Sequence, residues 1–156
     1  MGLDANLTDA ALSADDLTNA YLTGVSSGGI SGTPTLPANW TLVEGYLVGP
    51  TANLSGAQLD GPALSNADLS DADLGDASLT DASFTGAEVY GLYFYGDGDY
   101  GANLDGADLA GANFTDANLT DSTFVGANLA NTTWGATTCP DKSDSDRGGD
   151  TCANNL

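Results

Sequence analysis

Residues 101–130, GANLDGADLAGANFTDANLTDSTFVGANLA, place Leu104, Leu109, Phe114, Leu119, Phe124 and Leu129 at every fifth position. Ala102, Ala107, Ala112, Ala117 and Ala127 stand two residues ahead of them. A helix cannot use this period: at ~100° per residue, five residues advance ~500°, and the leucines scatter around the axis. One continuous strand fails as well, because its side chains alternate with period two and an odd repeat throws successive leucines onto opposite faces. A very short strand followed by a corner satisfies the period. The Leu or Phe (the centre) and the Ala two before it then point inward together, and the residue between them points outward.

The corner positions agree. From Gly56 to Asn131, every residue lying second after a centre is Gly, Asn or Asp, the types that tolerate left-handed and turn conformations. Aromatic placement is an independent check. Phe84, Phe94, Phe114, Phe124 and Trp134 fall on centres, whereas Tyr21, Tyr46, Tyr90, Tyr93, Tyr95 and Tyr100 all fall off them. Phe is buried more readily than a phenol that needs a partner.

The alternation A-(D/N)-L-x-x, as in ADLSDADLGDASLTDASFTGAEV (67–89) and in 101–130, resembles the pentapeptide repeat family. The resemblance implies an all-β fold: a right-handed quadrilateral β-helix with four pentapeptides per coil of 20 residues. Such a solenoid has six to seven coils here, about 30 Å long at ~4.8 Å per coil. The motif is a scaffold and by itself specifies no activity.

Outside the dense repeats, centres at Leu7, Leu12, Leu17 and Leu22 open the solenoid, and Leu42 and Leu47 keep their phase. Between them VSSGGISGTPTLPAN (25–39) loses its apolar centres and carries Pro34 and Pro37, which predicts a coil partly replaced by a surface loop. The next centre is Leu54, so Gly49 and Pro50 read as a corner insertion. The phase then holds to Trp134, with Asp99 the one polar centre. The expected organisation is a β-helix over 1–138 and an acidic tail over 139–156. MGLDANL enters the repeat almost at once, like a trimmed or mature chain, so the lack of a visible signal peptide is not taken to mean a cytoplasmic home. No apolar run is long enough to span a membrane.

The two cysteines, Cys139 and Cys152, bracket CPDKSDSDRGGDTC. With no His in the chain, two cysteines make a poor zinc site. A disulfide-closed loop is the preferred reading, against two reduced cysteines in a disordered tail. A disulfide implies an oxidising compartment and a covered sheet end. This tail and residues 27–50 also resemble a secreted-looking bacterial subset of the family. Asp141, Asp144, Asp146 and Asp150 crowd the loop, but Lys142 and Arg147 lie among them. The spacing is not that of a 12-residue calcium loop. Calcium is the candidate cofactor of this loop, and solvated loop chemistry is the preferred reading.

Twenty-two acids against two bases give a net charge of −20. Both bases are in the tail, so direct nucleic-acid binding is excluded as a working reading. An acidic rod can imitate DNA, which carries about 18 charges over ~30 Å, and the resemblance implies a DNA mimic acting on bacterial type II topoisomerase (gyrase) as an alternative function. Much of the charge is also ordinary repeat chemistry, since Asp9, Asp71, Asp76, Asp81, Asp116 and Asp121 occupy corners while Asp16, Asp68, Asp73 and Asp108 occupy the D/N slot. Under a uniform 20-residue coil, Asp68, Glu88, Asp108 and Asn128 form one outward column, an acidic face for a cation or a partner.

The pattern breaks at EVYGLYFYGDGDYG (88–101), where Asp97 and Asp99 take inward slots. Unpartnered buried carboxylates cost several kcal/mol, so this segment is expected to bulge outward. Tyr90, Tyr93, Tyr95, Asp97, Asp99 and Tyr100 then form either a lid over a widened coil or a binding patch. No His, candidate thiolate or phosphate loop supports catalysis. The sequence therefore reads as a non-enzymatic scaffold, secreted or at the cell surface, for a protein or glycan partner. Its expected state is a monomer, or a dimer through a coil end, and the alternative location is cytoplasmic.

Overall fold

The computed structural model describes residues 5–61, 64–75, 77–79, 82–84, 87, 102–143, 145 and 152. The chain winds as a parallel solenoid whose strands are single bridges. Asn53 pairs with Asp73, Gln58 with Ser78, Asn103 with Thr123, Asp108 with Asn128, Asn113 with Thr133 and Asn118 with Thr138, each 20 residues apart. The bridging residue always precedes a centre. At each bridge the Asp73 N–H donates back to Ala52 C=O (2.9 Å), and the Leu54 N–H donates forward to Asp73 C=O (2.8 Å), a pattern repeated down the chain. The corners close by a bond from the next alanine N–H to the centre carbonyl, as in Ala57 to Leu54 (2.9 Å). Gly56, Gly61, Asn66, Asp71, Gly106, Gly111, Asp116, Asp121, Gly126 and Asn131 have φ between 56° and 75°, which explains the Gly/Asn/Asp rule at corners.

The inward columns are Leu or Phe centres and alanines, buried throughout 52–59 and 102–119. Alanine is required on alternate inward positions because two large side chains per side would overfill so narrow a coil. Aromatic centres meet both between and within coils: Phe114 stacks on Trp134 of the next coil, 4.9 Å apart at 11°, and Phe124 of its own coil meets Phe114 edge-on at 6.4 Å.

Four expectations change. The segment 25–39 continues the ladder through Thr35, with Ser26, Ser31 and Thr35 bridging to Asn6, Ala11 and Asp16. Val25 and Ile30 are buried in the alanine slots while the centres hold Ser27 and Gly32. The apolar positions are thus offset by two, which hides the coil from a search for leucine centres. The surface loop expected there is replaced by solenoid.

Leu42 and Leu47 are not successive centres. They are cross-strand partners in an antiparallel hairpin of β1 (Thr41–Val43) and β2 (Tyr46–Val48). Glu44 (φ 48°) and Gly45 (φ 81°) form its two-residue turn, as right-handed strand twist favours. Partners across such a turn can be five residues apart, so the hairpin imitates the repeat.

Gly49 and Pro50 are not an insertion. Gly49 holds the centre position, since Ala52 N–H bonds to its carbonyl (3.2 Å) and Thr51 takes the left-handed corner (φ 62°). The Trp40 indole supplies the missing side chain, because a Cβ on Gly49 would lie 2.3 Å from Trp40 Cδ2. Leu47 joins the core cluster with Leu22, Val25 and Ile30, while Val48 joins the long cluster that runs from Ala52 onward. The hairpin and Trp40 connect the two.

The coil is not uniformly 20 residues. Ser78 bridges to Asn103 and Ser83 to Asp108, a step of 25. Centres on either side of this step stay a multiple of five apart while their bridge partners shift by five residues, so phase is kept while register is not.

This register sets Leu109 between Phe84 and Leu129. Leu109→Asp should lower stability by at least about 3 kcal/mol, whereas the outward Asp108→Asn should change it by less than about 0.5 kcal/mol. Urea or thermal unfolding of the two variants checks the inside and outside of the coil.

Candidate functional site

The D/N slot turns out to be a corner brace. In Asn6, Asp16, Asn53, Asp68, Asp73, Asn103, Asp108, Asn113, Asn118 and Asn128, the side-chain Oδ1 accepts the N–H two residues on, at 2.9–3.2 Å. Asp and Asn share this acceptor, which is why the slot accepts either. Where a Thr or Ser follows, its hydroxyl joins, as in Thr18 to Asp16 (2.6 Å) and Ser70 to Asp68 (2.7 Å). The Thr18 hydroxyl, then its N–H, holds the Asp16 carboxyl below the usual 3.8, and Ser143 does the same to Asp141.

The expected acidic column is corrected by the 25-residue step. Asp108 stacks between Ser83 and Asn128 and accepts a bond from Asn128 Nδ2 (2.9 Å). Its neighbours are a hydroxyl and an amide, so no ladder of carboxylates repels along this face. Asp68 instead accepts Asn39 Nδ2 at Oδ2 (3.0 Å). Glu88 lies outside the described residues, as do Tyr90, Tyr93, Tyr95, Asp97, Asp99 and Tyr100 of the expected patch. So do Asp144, Asp146 and Asp150 of the tail. Among the described residues no group of three or more His, Cys, Asp or Glu could hold a metal ion.

Cys139 and Cys152 are joined, and both are fully buried. The tail folds onto the last coil: the Cys139 N–H donates to Ser143 C=O (2.7 Å) and the Ser145 N–H to Thr137 C=O (2.9 Å). Thr137, in an alanine slot, donates its hydroxyl toward the carbonyls of Phe114 and Trp134. The Ser145 hydroxyl also donates to the Trp134 carbonyl. Lys142 pairs with Asp121 across the surface (3.2 Å). Sequence reasoning missed this buried hydroxyl pair; the replacement of Ala by Thr at 137 was its only signal.

It also missed a cleft of about 290 Å³ where the hairpin meets the solenoid, lined by residues 39–41 and 64–68. Trp40, unlike Trp134, stands apart from the run of centres, and that was the available clue.

A parallel solenoid with a corner every fifth residue defines the class. The family model described as pentapeptide repeats, in eight copies, matches residues 52–88, 63–96 and 100–133, and the chain belongs to the pentapeptide repeat family. No curated protein is similar enough to match the chain. Among solved structures, a pentapeptide repeat protein of the Arabidopsis thaliana thylakoid lumen is 29% identical, over 55% of this chain and 60% of its own, with a TM-score of 0.43. HetL, a pentapeptide repeat protein involved in heterocyst differentiation regulation in the cyanobacterium Nostoc, is 28% identical over 90% of this chain and 62% of its own (TM-score 0.40). A plasmid-mediated fluoroquinolone resistance protein is 17% identical over 86% and 62% (TM-score 0.30). This chain therefore covers 60–62% of the length of these proteins. Among the described residues no helix is long and apolar enough to cross a membrane.

Two outcomes are expected. Reducing the disulfide should lower stability by roughly 3 kcal/mol, as for a loop of about this length, with Ser143 and Ser145 amides losing hydrogen-exchange protection first. Thr18→Ala should return the Asp16 carboxyl toward 3.8 in a carboxyl NMR titration. Because the folded value is depressed, the stabilisation from this bond is complete above the unfolded value and is lost as pH falls through the folded one.

Proposed function

We propose that the chain is a non-enzymatic interaction scaffold, a right-handed quadrilateral β-helix of six to seven coils, exported to an oxidising compartment or the cell surface. The observation that carries this reading is the fully buried Cys139–Cys152 disulfide closing the C-terminal end. A bond at this position requires oxidising conditions to form, and removing it opens the end of the ladder. Among the described residues, the carboxylates of Asp16, Asp68, Asp73 and Asp108 brace the corners, which supports a structural role for them over acid–base work. The partner is a protein or a glycan, and the tyrosines at 90, 93, 95 and 100 remain a sequence-based proposal for one docking face.

The competing reading is a cytoplasmic DNA mimic, resting on the charge of −20. Gyrase supercoiling assays across bacterial enzymes, together with thiol labelling of the native protein in fractionated cells, separate the two. The scaffold reading expects no inhibition at micromolar protein and no free thiol. Salt-sensitive inhibition by a reduced, cytoplasmic protein overturns it.

A further inference from the structure

The cleft between the hairpin and the solenoid is built from both. On one side are Asn39, Trp40 and Thr41, which lead into β1; on the other are Leu64 to Asp68 of one pentapeptide. Its volume of about 290 Å³ is close to the ~300 Å³ lower bound of small-molecule sites.

Three features pre-organise it. The Trp40 indole is seated on Gly49, which has no Cβ to displace it. Asp68 is held by the Ser70 N–H (3.2 Å), the Ser70 hydroxyl (2.7 Å) and the Asn39 amide (3.0 Å). Asn39 and Asn66 are in left-handed conformations, φ 67° and 58°, which fix where their side chains leave the backbone. The Nδ2 of Asn39 is engaged by Asp68, while the Asn66 carboxamide has no protein partner among the described residues.

The chemistry is that of an indole flanked by two amides, two hydroxyls (Thr41 and Ser65) and one carboxylate. No Lys or Arg is among the lining residues, and the chain outside its tail has none, so an anionic ligand is disfavoured. A lone carboxylate already holding three donors is a poor cation site. A neutral ring with C–H groups on one face and hydroxyls around its edge fits: the face packs on the indole, and the hydroxyls exchange bonds with Asn66, Asn39, Thr41 and Asp68. We propose that this cleft binds one residue of a neutral saccharide. The proposal rests on the scaffold reading only in taking binding, rather than catalysis, as the activity.

The test uses the full chain with Trp134→Phe, which leaves Trp40 as the single indole. Glucose, galactose, mannose, xylose, N-acetylglucosamine and their neutral oligomers are titrated at millimolar concentrations, following Trp40 fluorescence and its indole N–H resonance. Glucuronate serves as the anionic comparison. The expected result is a saturable Trp40 shift with at least one neutral sugar. Asn39→Gly with Asn66→Gly, which keeps the left-handed backbone, should weaken it tenfold or more at unchanged melting temperature. No shift with any neutral sugar overturns the proposal, as does unchanged affinity in the folded double variant. Tighter binding of glucuronate than of glucose also overturns it. A sugar that binds without moving Trp40 overturns the cleft assignment while leaving the scaffold reading standing, whereas gyrase inhibition would remove the scaffold reading without touching this titration.

Discussion

One backbone unit carries this fold. Each side of the coil offers a single residue to the ladder, whose N–H donates to the alanine carbonyl and whose C=O takes the centre's N–H of the preceding coil, as Asp73 does with Ala52 and Leu54. A longer strand could lose one such bond and keep its place. Here every side depends on the coils above and below, because an unpaired buried peptide group costs about as much as a lost hydrogen bond. Stability is therefore a property of stacking, as in other solenoids. The corner residues matter because a left-handed turn must follow each bridge for the next one to fall in place.

The C-terminal end and the hairpin show how the ladder is protected. At the C-terminal end, Thr137 and Ser145 place hydroxyls where the interior would otherwise meet solvent, and the disulfide holds Cys152 over Cys139. Near the N-terminal end, the chain leaves the solenoid to build a hairpin and then rejoins it. Trp40 fills the hole at Gly49, and Leu47 and Val48, adjacent in sequence, enter different core clusters. A departure from the repeat thus strengthens the join between two stacks and forms the cleft beside Trp40 and Asp68.

Much of this was legible in the residues. Leu54 to Leu79 and Ala102 to Leu119 could be assigned inward from period five alone, and the left-handed corners followed from Gly, Asn and Asp. What misled were positions where another device reproduces the period. Leu42 and Leu47 are five apart because a two-residue turn pairs them, and Val25 and Ile30 are five apart but sit in the alanine column. The acidic column failed because phase and register are separate quantities: across the 25-residue step Phe84, Leu104 and Leu109 are all inward, while the bridge partners shift by one side. The cleft was invisible since Trp40 and Asp68 are brought together only by the hairpin's return. The bracing role of Asp68, Asp73 and Asp108 also tempers the meaning of the net charge, as those carboxylates serve the corners whatever the surface does.

The register across the long coil is the claim on which the columns, the core contacts and the acidic faces all depend. Paired cysteines measure it directly, because a disulfide needs Cα atoms within ~4.4–6.8 Å and bridge partners in neighbouring coils lie ~4.8 Å apart. Ser83→Cys combined with Asp108→Cys should crosslink readily under mild oxidation, seen as a two-proton mass loss with no gain in free thiol. Glu88→Cys combined with Asp108→Cys, the pair that a uniform 20-residue coil would align, should remain reduced. The reverse outcome would contradict the 25-residue step and the register built on it.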